Sequence, residues 1–256
     1  SNAQRVPTPL QSTISSSTAE NYWTGGISSW GIGLAKLGHS VETLPSNGSI
    51  TYGSTTNPQD LSKYQVFVVD EPNIRFTTAE KTAMLNFVRN GGGLFIIGNH
   101  NQSDRNNDGW DAPAIWNDFF TNNGTVSNPF GVRFNLVNIV QVSNNILSAG
   151  STNPILNGSQ GTVTALEYNN GSTLTLSPTS NSSVQGLIWT SGSTQNTNNV
   201  MCASSTYGTG RVVVICDSSP TDDGTGNPSD ILYPGWSSYS HRALCMNASQ
   251  WLAKQP

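Results

Sequence analysis

His100, Asp104, Asp108 and Asp111 fall within twelve residues of one another, in the stretch GGGLFIIGNHNQSDRNNDGWD from Gly91 to Asp111. An imidazole among carboxylates is a side-chain set for acid–base work: the ring moves a proton while an acid orients it or protonates a leaving group. The same stretch contains Asp104-Arg105-Asn106-Asn107-Asp108-Gly109, which fits D-x-N-x-D-G, the opening of a calcium loop. Oxygens two residues apart around a turn suit a hard cation. Asp104, Asn106 and Asp108 are therefore candidate metal ligands, and calcium is the candidate cofactor. Position twelve of that loop is Ile115 rather than a bidentate Glu, so it is not an EF-hand. A metal would need further ligands, for which Asp217, Asp222 and Asp223 are the candidates. The plainer reading is that Asp and Asn here build Asx turns and that Asp111 caps the next helix.

These groups need elements to position them. Asn90-Gly91 stops a helix, and Leu94 to Ile97 is an apolar strand without alternation, as expected of a strand covered on both faces in a parallel sheet. In such sheets the loops leaving the carboxyl ends of the strands carry ligands and chemistry. Two further apolar strands end in polar loops: Tyr64 to Val69, before Asp70-Glu71-Pro72-Asn73, and Arg211 to Cys216, before the Ser-, Asp- and Gly-rich loop from Asp217 to Pro228. If the three are parallel neighbours, their loops form one pocket. Its candidate catalytic residues are His100, Asp104, Asp217 and Glu71, with Asp222 beside them. Asn99, Trp110 and Trp236 are candidate substrate contacts, because Trp among Gly and polar residues can stack on a sugar ring while amides bond its hydroxyls. The alternative for each Trp is packing under its own loop with the indole N–H partnered. Ser218 and Ser219 follow a strand, but no G-x-S-x-G surrounds them.

Elsewhere the spacing predicts a helix over Trp30–Leu37, capped by Ser29 and closed by Gly38, and short strands at Leu10–Ile14 and Val41–Leu44. Thr77-Thr78-Ala79-Glu80 is a capping box opening a helix that buries Met84, Leu85 and Val88. Asp111 caps a helix with Pro113 in its first turn and the pairs Ile115/Phe119 and Trp116/Phe120 on one apolar face. From about 125 to 205, short β-type runs alternate with Asn/Gly/Ser turns, an antiparallel section. His241–Ala253 is a closing helix burying Leu244, Ala248, Trp251 and Leu252. The fold class is α/β, with a mostly parallel central sheet flanked by helices and a β-rich antiparallel section around residues 125–205.

Charged residues make up only 10% of the 256, and the net charge is −4. With no run of Lys and Arg, there is no basic face for nucleic acid. No apolar run reaches the eighteen or so residues of a membrane span. A surface rich in Ser, Thr, Asn and Gly is the style of secreted or periplasmic proteins. Cys202, Cys216 and Cys245 sit in apolar runs and read as buried free thiols; one disulfide among three pairings is the alternative. Ser1-Asn2-Ala3 reads as a tag remnant.

A helix ending in Gly-Gly-Gly, an apolar strand and a polar residue at a sharp turn resemble the class I glutamine amidotransferase-like superfamily. The Asn153-Pro154-Ile155 turn, the Glu167-Tyr168 pair and Tyr207-Gly-Thr-Gly-Arg-Val are similar to its ThuA-like (trehalose-utilisation-like) branch. The resemblance spans residues 20 to 254 and implies a single amidotransferase-like (flavodoxin-like) α/β domain over 4–256. It departs where the superfamily places a nucleophilic Cys: the elbow here reads Gly98-Asn99-His100, and no cysteine lies there. A His near this turn is common in the ThuA-like branch, and His100 matches it. Glutaminase chemistry is not supported. The expectation is an extracytoplasmic hydrolase-like protein acting on or binding a carbohydrate. Its rival is a non-catalytic domain whose Asp-rich loop holds a structural calcium. The partner in either case is a small-molecule or glycan ligand.

Overall fold

The computed structural model describes residues 11–148, 152–226 and 233–254. The tag remnant and Leu10 lie outside them. Among the described residues there are four α-helices: α1 Ser28–Lys36, α2 Thr78–Arg89, α3 Ala112–Thr121 and α4 His241–Leu252. The strands are β1 Val66–Asp70, β2 Gly93–Ile97, β3 Val132–Phe134, β4 Ile139–Ser143, β5 Asn145–Ile146, β6 Asn157–Gly158, β7 Gly161–Thr162, β8 Leu166–Gly171, β9 Leu174–Leu176, β10 Gln185–Trp189, β11 Val200–Tyr207 and β12 Gly210–Ile215.

The main sheet runs β1-β2-β12-β11-β10-β5, with β9 pairing β11 and β3 beyond it. Only β1, β2 and β12 are parallel neighbours; every other pairing in this sheet is antiparallel. The sheet is therefore mixed rather than mostly parallel. The reason is the hairpin Tyr207-Gly208-Thr209-Gly210: it turns β11 straight back into β12, so the segment that enters the parallel trio carries its antiparallel partners with it. Gly208 turns with φ +60°, and a Cβ on Gly210 would sit 1.9 Å from the Val88 carbonyl oxygen, so the hairpin packs against the end of α2 only as glycine. Between residues 125 and 205 the pairings are antiparallel as expected, including β4 with β8 in a separate two-stranded sheet.

β2 is buried at all five positions, as a strand covered on both faces requires. Trp30 of α1 meets Phe95 edge-on, with ring centroids 5.1 Å apart, and donates its indole N–H to Ser249 of α4. The Thr77–Glu80 capping box and the Asp111 cap are both present, the latter accepting from the Ala114 N–H at 2.9 Å. Trp116, Phe119 and Phe120 are buried together with Phe130 and Phe134.

Two expected strands are not formed. Gln11–Thr13 is a 3-10 turn, and residues 41–44 join no ladder; instead Val41 gives its N–H to the Gln11 side chain. The α1 cap also differs. Ser29 lies inside the helix, its hydroxyl bonded to the Glu20 carbonyl, while the Asp223 carboxylate accepts the Ser29 N–H at 2.6 Å. A carboxylate from a distant loop satisfies that donor better than a hydroxyl within the first turn. All three cysteines are free and buried.

Candidate functional site

The three parallel strands end in register, with Asp70 beside Ile97 and Ile97 beside Ile215. Their loops leave at one edge of the sheet, which brings Glu71, Asn99, His100 and Asp217 to the same end. β8 crosses this edge, because the Asp217 carboxylate accepts the Asn169 N–H at 2.6 Å and the Ser219 N–H at 2.9 Å. The result is a cleft of about 150 Å³ lined by Asn99, His100, Arg105, Asn169, Asn170, Ser218, Ser219, Asp222 and Tyr233.

Glu71 turns the chain off β1 with φ +42°, a left-handed conformation that costs a non-glycine residue about 1–3 kcal/mol and persists only where its surroundings hold it. Arg105 donates to both carboxylate oxygens, at 2.7 and 3.1 Å, and the Ser218 hydroxyl donates at 3.0 Å. A carboxylate so occupied is a clamp between three loops rather than a free base. Ser218 also lies 3.4 Å from the Asn99 amide nitrogen.

His100 is half-buried. Its Nδ1 lies 2.7 Å from the Asn101 carbonyl, which can only accept, so Nδ1 carries the proton and the lone pair of the neutral ring sits on Nε2. The orienting acceptor is thus a neighbouring backbone carbonyl, where Asp104 and Asp217 were expected. Asp217 is fully buried with both oxygens bonded to backbone N–H groups. Burial pushes it up to about 6, against the pull of those hydrogen bonds, and nearby Glu71 adds to the rise.

The Asp-rich loop closes on itself. Asp104 accepts the N–H groups of Asp108 and Gly109, Asn106 accepts that of Asp108, and Asp108 accepts that of Trp110. Asp222 accepts the Gly224 N–H, and Asp223 caps α1. Six residues were candidate ligands, and among the described residues no group of three or more His, Cys, Asp or Glu is placed to hold a metal ion. Short polar side chains next to free backbone donors satisfy them locally, which is the Asx-turn arrangement. Millimolar calcium is therefore expected to leave the melting temperature unchanged in a thermal scan. A rise of several degrees would show that the loop re-forms around the ion.

The tryptophans are engaged elsewhere. Trp236 is 4% exposed, stacks on Trp30 at 6.3 Å and donates its indole N–H to Glu20 at 2.9 Å, outside the cleft. Trp110 has the Arg75 guanidinium over its ring, 4.4 Å from the centroid. Trp236 therefore offers no free face as a sugar platform, and one face of Trp110 is taken by the Arg75 cation.

Arg105, Asn169, Asn170 and Tyr233 line the cleft without having been singled out in the sequence. Asn170, with φ +76°, is the residue left unpaired by the register shift between β4 and β8, a conformation that asparagine tolerates. The Tyr233 hydroxyl donates to Glu167 at 3.1 Å, and that carboxylate raises the phenol above its ordinary range. His241 is fully buried: Nε2 accepts the Glu167 N–H and Nδ1 faces the Gly235 carbonyl, so it is a neutral structural ring. Burial holds it below the usual imidazole range.

No family model and no curated protein sequence matches this chain. Solved structures do resemble it. The mmIFT52 N-terminal domain aligns with a TM-score of 0.50 at 14% identity, over 75% of this chain and 79% of that one. Cytoplasmic Protein STM3548 from Salmonella typhimurium aligns at 0.46 and 15%, over 77% and 76%. A protein from Parabacteroides merdae ATCC 43184 described as ThuA-like aligns at 0.42 and 14%, over 80% and 77%. At this identity the first of these speaks to the fold alone.

Proposed function

We propose that the cleft is the site of an extracytoplasmic, ThuA/amidotransferase-like hydrolase that acts on a carbohydrate, with His100 as its base. The observation that carries this reading is the meeting of the Asn99–His100 turn with Ser218–Ser219 and Asn169–Asn170 at the carboxyl ends of three parallel strands. Amides and hydroxyls that can both donate and accept suit the hydroxyls of a sugar. A sparsely charged chain supports the extracytoplasmic setting.

Among hydrolyses, the residues favour removal of an acyl ester from a sugar over cleavage of a glycosidic bond. A glycosidase needs two carboxylates facing the bond. Here Asp217 is enclosed and Glu71 is paired with Arg105. Ester hydrolysis needs a base and an oxyanion donor: His100 Nε2 takes a proton from water, the hydroxide adds to the acyl carbonyl, and the Asn99 amide donates to the resulting oxyanion. Collapse expels the sugar oxygen, which leaves with the proton from His100, and releases the carboxylic acid, which loses its own proton to solvent.

The test is incubation with matched panels of O-acetylated and unacetylated oligosaccharides, following acetate and reducing ends separately. Acetate release without new reducing ends is the expected result. New reducing ends alone would overturn the ester assignment. Binding without either product would favour the second reading, a carbohydrate-binding domain without catalysis, which the commitment of the Ser218 hydroxyl to Glu71 supports.

A further inference from the structure

Asp70, the last residue of β1, lies beneath the cleft. Its Oδ1 is out of solvent and has no hydrogen-bond partner, and its Oδ2 lies 2.9 Å from the Thr221 hydroxyl. That hydroxyl is also 2.7 Å from the Ser218 carbonyl oxygen. A carbonyl only accepts, and so does an ionised carboxylate, yet Thr221 has one proton to give. Given to Ser218, it leaves two acceptor oxygens facing each other at 2.9 Å unless the second proton comes from Asp70.

We propose that Asp70 carries that proton, and that as a neutral carboxylic acid it is the positioning residue for the Ser218–Thr221 turn and hence for the Ser218 and Ser219 side of the cleft. Four titratable groups around it favour the neutral form. Glu71 follows it in the chain, Asp217 and Asp222 face it from the loop after β12, and the Cys245 thiol faces it from α4. Arg105 is bonded to the neighbouring Glu71 carboxylate. Burial, with Glu71 next, pushes Asp70 up to about 8. Ionisation removes the donor, so the Thr221 hydroxyl must either leave the Ser218 carbonyl to the Thr221 N–H alone, 3.0 Å away, or face a bare carboxylate. Either way the turn rearranges and the cleft with it. The site is thus assembled below about pH 8 and loosened above it.

The sign of the stability effect follows. A carboxyl whose folded value is raised is best tolerated when protonated, so its contribution is lost as pH rises from the unfolded range near 3.8 through about 8. Asp70→Asn replaces the O–H donor with an amide N–H and removes the titration. The experiment compares wild type and Asp70→Asn across roughly pH 5 to 9.5, a span bracketing the raised carboxyl, by infrared difference spectroscopy, by thermal melting, and by the amide resonances of Ser219 and Thr221. The expected result is a protonated-carboxyl carbonyl band in the wild type that disappears near pH 8 and is missing from Asp70→Asn. The two amide resonances should titrate with that same midpoint in the wild type only. The melting temperature of Asp70→Asn should gain on the wild type's as pH rises to about 8 and keep a constant lead or gap above it. Parallel melting curves, or unmoved amides, would overturn the proposal. So would the lack of a protonated-carboxyl band in the wild type at about pH 6.5, a readout that needs no variant to fold. None of these measurements uses a glycan, so the proposal stands or falls separately from the hydrolase reading.

Discussion

His100→Ala is expected to lower release of acyl groups from a glycan by about 10²–10⁴-fold, the range lost with a general base. The fold should survive the change. The ring is half-buried, and its Nδ1 bonds to a neighbouring carbonyl in its own loop, so the cost should stay within about 0.5 kcal/mol, as for surface substitutions away from buried networks. Steady-state kinetics on the O-acetylated panel and a urea titration of the same preparations separate the two effects. Retained turnover would remove His100 from the chemistry. Loss of activity together with several kcal/mol of stability would make the ring a brace for the Asn99–Asn101 turn rather than a base.

The largest effect on stability should come from Trp116→Ala. Trp116 is completely buried, meets Phe76 at 5.3 Å and Phe119 at 5.7 Å between centroids, and donates its indole N–H to the Ile97 carbonyl at 3.0 Å. That carbonyl also accepts the Glu71 N–H at 3.2 Å, so one side chain joins the aromatic core to the end of β2 and to the start of the Glu71 clamp. Truncation should cost about 3–5 kcal/mol, a large part of the roughly 5–15 kcal/mol that holds a typical domain together. Trp116→Phe keeps most of the apolar volume and deletes only the donor, for an expected loss of about 0.5–1.5 kcal/mol. Denaturant midpoints at constant slope measure both. An alanine variant losing less than about 1 kcal/mol would mean that the neighbouring rings close the cavity completely.

How far the site could be read in advance depended on whether each feature was local. The capping box at Thr77 and Glu80, the Asp111 cap and the unalternating strand at Leu94–Ile97 are set within a few residues, and each formed as the spacing predicted. The position of His100 after a buried strand was equally legible, and the register of β1, β2 and β12 put Glu71 and Asp217 at the same edge. The fate of those carboxylates was not legible. Glu71 is held by Arg105, thirty-four residues away, and Asp217 by the backbone of β8, forty-eight residues away. Trp236 found Trp30 and Glu20 across the whole chain, and Asp223 found the start of α1.

The sequence alone thus determined the α2, α3 and α4 helices, the β2 and β12 strands and which loops carry polar groups, because hydrophobic period, caps and turn residues act over one or two turns of chain; the weakly patterned segments at 11–14 and 41–44 lacked those signals and formed no strand. Only the tertiary structure decided that the sheet is mixed, that the Asp-rich loop satisfies its own backbone, and that Asp70, Glu71 and Asp217 differ in their hydrogen-bond partners though all three stand at strand ends. Strand order and the environment of a carboxyl depend on partners brought together by folding. Desolvation and hydrogen bonding by those partners, rather than residue type, set whether an acid is a clamp, a brace or a proton carrier.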